Sequence, residues 1–405
     1  MSSPGAEFRW GVTTSSVAAE GVAPAADWSL WERDRRAPQS SDGAGLVTDY
    51  RDDLAQFATL GCTDWRVTVE WARIEPEPGR VDHDALDRYR DILAHARSVG
   101  VRSWLTLHHG SLPGWYHHDE GGHRDDLARG RYWNRHVDRV AEELDELADG
   151  FVPVDDPIGW AVRSYGLGSR PPGRRDPRVM REAIVGAVLA CHDAVRLLSS
   201  GRQPVMTAWR ADPVHAVAED DGRITPEAAE AARRWDDVLW GTWLRAHAEG
   251  MLDVEGRAAI EVPAFVDGVS HVGLVHDHPV GVSAEGALVP WPAGARRDGT
   301  GFGPEPDELA EAIHRAHEAL PDHSLVVAGH GFATDDESWR ADLLTDCLAH
   351  VGDASAEIGL AGYFHDSGID GYEWSLGFAA PRGLIGRDRA PKAAADRFRE
   401  AATRL

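Results

Sequence analysis

The chain has 405 residues, of which 42% are hydrophobic and 27% are charged, and its formal net charge at pH 7 is −25. A chain of this length and apolar content can form a sizeable core, and its composition is not that of a disordered protein. The strong negative charge argues against a nucleic acid or an anionic membrane as its partner.

The residue inventory limits the chemistry further. Lys392 is the chain's one lysine and lies in the last predicted helix. This argues against Schiff-base chemistry, which needs a lysine in the site. The cysteines Cys62, Cys191 and Cys347 are far apart and lack the spacing of zinc ligands. We therefore expect neither a metal nor a cofactor.

The first residues, "MSSPGAEFRWG", lack the basic and apolar regions of a signal peptide. No apolar run approaches the ~18 residues that a membrane helix needs. We therefore expect a cytoplasmic protein that acts on a small molecule and binds neither membrane nor nucleic acid. The sequence leaves the oligomeric state open.

Short apolar runs that favour strands alternate with longer amphipathic stretches along the chain. The predicted strands are 8–15, 64–71, 102–110, 150–157, 204–212, 270–278, 324–332 and 358–367. The predicted helices are 82–98, 130–148, 177–199, 226–248, 305–319, 336–350 and 390–404. Strands that alternate with helices favour parallel pairing, and eight of them predict an α/β fold of the (β/α)8 TIM-barrel type.

The main alternative to a barrel is a doubly wound open sheet. It is disfavoured because no Gly-rich phosphate loop follows any predicted strand. We see no internal repeat of solenoid length, and we expect one domain over residues 1–405. The Gly- and Pro-rich region 280–304 predicts a long loop over one end of the barrel.

Most predicted strands begin with apolar residues and end in polar ones. The polar residues at these ends are His108, His109, Asp155, Asp156, Arg210, Asp212, His276, Asp277, His278, His330, His365 and Asp366. The carboxyl ends of barrel strands converge on one face, which is where barrel enzymes have their active sites. The sequence therefore predicts an active site on this face.

Several long motifs resemble those of the family 1 glycoside hydrolases, the β-glucosidase type. They are "FRWGVTTSSVAAEG", "DWRVTVEWARIEPEPGRVDHDALDRYRDIL", "LTLHHGSLPGW", "SYGLGSRPPG" and "GYFHDSGIDGYEWSLGF", and they cover almost the whole chain in order. The resemblance implies a (β/α)8 barrel that acts on glycosides. It also implies two catalytic carboxylates, which in retaining glycosidases lie ~5–5.5 Å apart.

The catalytic positions depart from the family pattern. The family's acid/base Glu ends strand four in an Asn-Glu-Pro sequence, where this chain has "VDDP", so Asp155 stands for the Asn and Asp156 for the Glu. The family's nucleophilic Glu follows strand seven in a Thr-Glu-Asn-Gly sequence. Here "VVAGHGF" places Gly329 at the nucleophile and His330 at the Asn. Glycine cannot attack an anomeric carbon, so the standard double displacement is not expected.

The sugar-binding positions are partly kept. His109, Glu373 and Trp374 match family residues that hold the sugar, and Arg66 matches the arginine that supports the catalytic carboxylates. We also assign His330 to substrate binding. Other family positions have changed: Ala18 replaces a Gln, Gly110 a Trp, His276 a Tyr and Asp366 a Trp.

Each predicted site residue also has a structural alternative. Asp155 and Asp156 could cap a helix, Glu373 could form an ion pair, and His109 could hold a neighbouring backbone group. As a functional pair, two adjacent acids are expected to raise one pKa, which suits a general acid.

The new ionisable residues form a separate hypothesis. Adjacent strand residues point to opposite faces, so His276 and Asp277 cannot both reach the cavity. We favour an acid–base role for His276 or Asp366 over a metal site.

Three functions remain open at this point. The first is a divergent glycosidase-like enzyme in which Asp156 protonates the leaving oxygen and water or an acceptor attacks over Gly329, with Asp366 or Glu373 as the base. The second is an elimination, isomerisation or cyclisation in secondary metabolism on the same barrel. The third is a binding protein without catalysis.

Overall fold

Eight parallel strands form a closed barrel in the computed structural model, which describes residues 8–404. The strands are β1 (Arg9–Thr14), β2 (Asp64–Thr68), β3 (Arg102–His108), β4 (Gly150–Val154), β5 (Met206–Arg210), β6 (His271–His276), β7 (Leu325–His330) and β8 (Gly362–His365). They pair in the order β4-β3-β2-β1-β8-β7-β6-β5.

The barrel is closed between β4 and β5. The backbone N–H of Phe151 donates to the Pro204 carbonyl at 3.0 Å, and that of Asp156 donates to the Ala208 carbonyl at 3.0 Å. The predicted (β/α)8 barrel is therefore confirmed, and all eight predicted strands are present.

The strands are buried on both faces, as parallel strands between layers usually are. Every residue of β2, β4 and β7 is buried. The barrel interior is filled by Trp104, Val152, Met206, Ala208, Val275, Val326, Ala328 and Phe364. A larger apolar cluster packs the outer side of the strands against the helices, so the barrel is a packed core with its polar residues confined to the ends.

The long outer helices follow the strands in order. They are Leu46–Thr59, His83–Ser98, Asn134–Leu144, Pro177–Leu198, Pro226–Asp236, Thr242–Glu249, Pro306–Ala319, Glu337–Ile358 and Ala393–Ala402. Side-chain caps set some of their starts: the Asp82 and Asp336 carboxylates each accept a backbone N–H at 3.0 Å, from Ala85 and Trp339 respectively.

Shorter helices fill the loops at the strand ends. The α-helical ones are Ser16–Glu20, Asp27–Arg33, Trp71–Ile74, Asp126–Ala128, Pro157–Ala161 and Ala264–Asp267. Single π-helical turns lie at Trp115–Asp119, Arg129–Trp133, Val162–Gly166 and Asp237–Gly241, and a 3₁₀ turn lies at Gly122–Arg124. Pro157–Ala161 follows β4 directly and therefore positions the predicted acid pair.

The elements differ from the sequence predictions in several places. The helix Leu46–Thr59 was not among the predicted helices, and the one predicted at 130–148 begins with the π turn Arg129–Trp133 and ends at Leu144. The helix predicted at 226–248 is interrupted by the π turn, and the one predicted at 336–350 continues to Ile358. The latter helix continues past Gly352 because an interior glycine costs a helix only ~1 kcal/mol. It ends at Gly359, whose φ of 71° is the left-handed cap conformation. The predicted loop 280–304 contains two short strands, Val280–Val282 and Leu288–Pro290, in a small sheet with Val214–Ala216.

Candidate active site

A cavity opens at the carboxyl ends of the barrel strands. Its lining residues are Arg66, His109, Gly110, Asp155, Asp156, Trp160, Arg163, Arg170, Arg210, Val275, Asp277, Gly329, Asp366, Glu373, Trp374 and Arg382. Five of these are arginines and five are carboxylates, so the cavity is highly polar but nearly balanced in charge. Eight of the ten predicted site residues lie here, and the two that do not are His276 and His330.

Asp155 lies directly after β4 and is buried. Its Oδ2 is 2.9 Å from Nη2 of Arg66 and 2.5 Å from Nδ1 of His109. Burial alone would raise the pKa of the Asp155 carboxyl, but the charge of Arg66 and the contact with His109 hold it below its usual range. The upward shift expected for one member of the acid pair is therefore not found at Asp155, which is ionised.

Asp156 caps the helix Pro157–Ala161 from a left-handed backbone conformation with φ of 50°. Its Oδ1 accepts the backbone N–H groups of Gly159 at 3.0 Å and of Arg210 at 3.2 Å. Its Oδ2 is 2.7 Å from Nη2 of Arg163 and 3.4 Å from Nε of Arg210. The helix-capping role considered from the sequence is thus present, and both oxygens are already bound.

The remaining cavity carboxylates lie around Arg382. Its guanidinium contacts Asp277, which also lies 2.6 Å from Arg210. Burial opposes ionisation of Asp277, but Arg382 and Arg210 lower its pKa. Asp366 and Glu373 are more distant, with their oxygens 3.5 and 3.7 Å from Arg382. Both are therefore less constrained than the acids at the end of β4.

Asp366 and Glu373 are also the more exposed acids of the cavity. The Asp366 side chain is 37% exposed and that of Glu373 is 23% exposed. The Thr13 hydroxyl donates to Oδ1 of Asp366 at 2.6 Å. The ion pair considered for Glu373 from the sequence is thus present, but it is a long one.

His276 and His330 lie behind the cavity wall in what we call the dry histidine layer, which consists of His276, His330, Tyr363 and His365. The Tyr363 hydroxyl is 2.7 Å from Nδ1 of His330 and 3.2 Å from Nδ1 of His365. Nδ1 of His276 is 3.2 Å from the Ala211 carbonyl. Burial lowers the pKa of His330 to about 3, so its imidazole is neutral at physiological pH.

Gly329 leaves an open place on the cavity floor. A Cβ added there would lie 3.4 Å from Nη2 of Arg66 and 3.6 Å from Cγ1 of Val275, which are ordinary van der Waals contacts. Within residues 8–404, Arg66 Nη1, Asp155 Oδ1 and Trp160 Nε1 are buried without a hydrogen-bond partner. A polar ligand that reaches these atoms recovers hydrogen bonds that the free protein forgoes.

A second, outer cavity continues from the first toward solvent. The two cavities share Arg163, Arg170, Arg210, Asp277, Glu373, Trp374 and Arg382. The outer cavity adds an apolar wall of Val162, Leu167, Leu239, Val280, Leu288 and Phe302. The segment 280–304 therefore lies over the strand ends, as the sequence predicted.

Sequence reasoning missed several residues of this site. Arg163, Arg170 and Arg382 lie in loops and short turns, far from the strand ends that the polar clusters marked. Arg170 is the arginine of "SYGLGSRPPG" and Arg163 directly precedes this motif, but nothing in the chain links either of them to Arg382. Across residues 8–404 we find no group of three or more His, Cys, Asp and Glu placed to hold a metal ion. In the same part of the chain, no helix is long and apolar enough to cross a membrane.

The fold and the acid-lined barrel mouth define a barrel protein of the glycosidase type, and sequence comparisons agree. A sequence model described as "Glycosyl hydrolase family 1" matches residues 4–260. The β-galactosidase of Sulfolobus acidocaldarius is 24% identical over 91% of this chain and 87% of its own. The thermostable β-glucosidase B of Thermobispora bispora is 26% identical over 93% of this chain and 85% of its own.

The solved structures give the same fold. The β-glycosidase from Pyrococcus horikoshii superposes with a TM-score of 0.87 at 23% identity, covering 98% of this chain and 93% of its own. Since the family's sequence model matches more than half of the chain, this protein belongs to glycosyl hydrolase family 1.

Proposed function

We propose that this chain is a divergent glycosidase-like enzyme that acts on a glycoside or a sugar-like small molecule by acid–base chemistry, without a covalent nucleophile. The observation that carries the proposal is the 2.5 Å contact between His109 and Asp155 in a cavity whose floor is open at Gly329. Two relatives are a β-galactosidase and a β-glucosidase, which supports a glycoside as the substrate class.

His109 and Asp155 form an oriented acid–base pair. The ionised Asp155 accepts from Nδ1 of His109 and is itself held by Arg66. Among residues 8–404, Nε2 of His109 has no hydrogen-bond partner, so it is available to a ligand in the cavity. A carboxylate that orients an imidazole in this way is a recurring arrangement of general acid–base catalysis.

Gly329, we propose, stands where the family has its nucleophilic Glu. Nη2 of Arg66 is 2.9 Å from Asp155 and would be 3.4 Å from a Cβ at Gly329, so the open place adjoins the acid–base pair. Water enters there, His109 Nε2 takes one of its protons, and its oxygen bonds to the anomeric carbon. The bond to the leaving group breaks, and its electron pair goes to the leaving oxygen. This direct displacement inverts the anomeric centre.

Asp156 has a different role in this proposal from the general acid that the sequence suggested. Arg163, Arg210 and two backbone N–H groups occupy both of its oxygens, so neither oxygen is free toward the cavity. We assign it to positioning Arg163 and Arg210. A leaving group that departs as a stabilised anion needs no proton from this position.

The test is hydrolysis of a panel of nitrophenyl β-glycosides by the wild type, Gly329→Glu and the matched control Gly329→Gln. The stereochemistry of the products is followed by NMR. We expect slow wild-type hydrolysis with inversion. We expect faster hydrolysis with retention in Gly329→Glu, because its carboxylate reaches the anomeric carbon, and no gain in Gly329→Gln. Wild-type hydrolysis with retention would contradict the proposal.

A second candidate is proton abstraction from a carbon acid, leading to elimination or isomerisation. It is favoured by the way Asp156 is bound, since both of its oxygens already accept hydrogen bonds and neither is free to serve an alkoxide leaving group. The same experiment separates the two. If the wild type and Gly329→Glu both fail on every glycoside, hydrolysis is excluded and the second candidate takes its place.

A further inference from the structure

Four arginines line both the inner and the outer cavity, and we call them the arginine neck: Arg163, Arg170, Arg210 and Arg382. Three of these arginines, Arg163, Arg210 and Arg382, form ion pairs with the same few carboxylates. Asp156 lies between Arg163 and Arg210, and Asp277 lies between Arg210 and Arg382. Asp212 adds a contact of 3.3 Å to Arg210.

Arg170 is the exception within the neck. Among residues 8–404 it forms no ion pair, and its guanidinium lies 4.2 Å from the ring centre of Trp374. Burial and the charge of Arg163 lower the pKa of Arg170 to about 9, while the charge of Glu373 opposes this. The neck therefore has a positive charge without a carboxylate in contact with it.

The position of Arg170 is built into the fold. Gly110 has a left-handed φ of 78°, and a Cβ on it would lie 2.7 Å from Nη1 of Arg170 and 2.6 Å from Cζ2 of Trp374. Only glycine leaves this slot open, because any side chain would displace the guanidinium or the indole. Arg170 is thus held between Gly110 and Trp374 and is not a freely moving surface residue.

We propose that the neck binds an anionic group of the ligand, held by Arg170 and Arg163, while an apolar part of the same ligand occupies the outer cavity. This rests on the proposed function in taking the barrel mouth as the ligand site. The guanidinium fork suits the oxygens of a carboxylate, sulfate or phosphate ester. Nε of Arg163 is buried and unpaired within residues 8–404, which provides a second donor.

The apolar wall of the outer cavity begins next to these arginines. Val162 and Leu167 flank Arg163 in the chain, and Phe302 and Leu288 face them from the segment over the barrel mouth. An anion joined to an aromatic or alkyl group therefore fits the neck and the wall together. A free inorganic anion would fit the neck alone.

The experiment measures binding by titration calorimetry in a buffer without phosphate, using the full chain. The probes are phenyl phosphate, phenyl sulfate, benzoate and neutral phenol, with inorganic phosphate and sulfate to separate free anions from organic ones. The variants are Arg170→Gln and a matched control, Arg174→Gln, which removes the same charge from an exposed position on the same loop.

We expect at least one aromatic anion to bind the wild type more tightly than phenol and more tightly than the free anion. Arg170→Gln should weaken this binding about tenfold or more, because a charge-assisted hydrogen bond is lost. Arg174→Gln should change it less than about twofold. The proposal is overturned if phenol binds as tightly as the anions, or if a folded Arg170→Gln binds like the wild type.

The wild-type comparison needs no variant, so the test stands even if Arg170→Gln does not fold. It is also independent of turnover. A protein that binds the aromatic anions but hydrolyses nothing contradicts the proposed hydrolysis alone. A protein that hydrolyses neutral glycosides with inversion and ignores the anions overturns this inference alone.

Discussion

The cavity and the dry histidine layer are formed by adjacent residues of the same strands, yet their chemistry is different. Three neighbouring strands, β6, β7 and β8, each end in a pair of adjacent residues divided between the two: Asp277, Gly329 and Asp366 line the cavity, and His276, His330 and His365 lie in the dry layer. Successive residues of a strand point to opposite faces, so neighbours in sequence reach different surroundings.

The comparison indicates what makes an ionisable residue functional in this barrel. In the dry layer, burial lowers the pKa of His330 and of His365, and these two histidines are neutral hydrogen-bonding groups. In the cavity, Asp155 is just as buried but remains ionised because Arg66 and His109 lie against it. Chemistry is therefore expected where charges are paired beside an open space, and not wherever a histidine ends a strand.

The largest expected effect tests the cavity side of this comparison. Asp155→Asn keeps the shape of the side chain but removes the charge that orients His109, as in other carboxylate–imidazole pairs. We expect kcat/KM for the best nitrophenyl glycoside to fall by roughly 10²–10⁴-fold, and its pH dependence to change as well. A purely structural role would leave the shape of the pH profile unaltered.

The control for Asp155→Asn comes from the dry layer. Within residues 8–404, the hydrogen bonds and ring contacts of Tyr363 go to His330, His365, Trp10 and Phe398, which do not line the cavity. For Tyr363→Phe, kcat/KM should therefore stay within about threefold of the wild type. The acid–base role of the His109–Asp155 pair is contradicted if Asp155→Asn retains more than a tenth of the wild-type activity.

A smaller effect separates the two regions by pH. Burial lowers the pKa of His330 in the dry layer to about 3, from an ordinary value of 6.5. It has the same effect on His108 and His247, which are buried outside both regions. Between these values the unfolded chain binds more protons than the folded one. The free energy of unfolding should therefore fall as pH drops from 6.5 toward 3, by up to about 1.4 kcal/mol per pH unit for each histidine.

The cavity acid should contribute in a lower window. The pKa of Asp155 lies below its ordinary value of 3.8, so its stabilisation is complete above that pH and is lost as the pH falls further. Urea unfolding as a function of pH measures both contributions. His330→Phe should reduce the slope between pH 6.5 and 3 by about one proton, and an unchanged slope would show that His330 is not held neutral.

Much of the fold could be predicted from the sequence, because each barrel strand is a short apolar run and most long helices have a clear amphipathic period. The motifs also identified most of the cavity residues. The arginine neck could not be predicted in the same way. Arg163, Arg170 and Arg382 come together only through loops after β4 and β8, and a single sequence contains no signal that pairs such distant positions.

The division between His276 and Asp277 also lay beyond the sequence. The alternation rule stated that only one of them reaches the cavity, but not which one. On β6 the alternation is regular, so Val275 and Asp277 share the face that lines the cavity and His276 points away from it. On β7 the ladder to β6 has one extra residue between Val327 and Gly329, and this bulge re-aims Gly329 and His330. Residue types do not reveal such a local irregularity.

The smallest expected effect tests the dry layer itself. Tyr363→Phe removes the hydroxyl that joins Nδ1 of His330 to Nδ1 of His365. Two buried nitrogens then lose their partner, which should lower the free energy of unfolding by about 1–3 kcal/mol. Tyr132→Phe is the matched control, since Tyr132 is a buried residue whose hydroxyl forms no hydrogen bond within residues 8–404, and it should cost less.

Urea unfolding and kcat/KM measured on the same Tyr363→Phe preparations decide whether the two layers act separately. Nε2 of His365 lies 3.3 Å from the backbone carbonyl of Arg382, so a route from the dry layer to the arginine neck exists. Lower stability with unchanged activity means that the dry layer only supports the barrel. Lower activity with unchanged stability means that the hydroxyl positions Arg382 through His365. The dry layer would then contribute to the chemistry of the cavity as well as to the stability of the barrel.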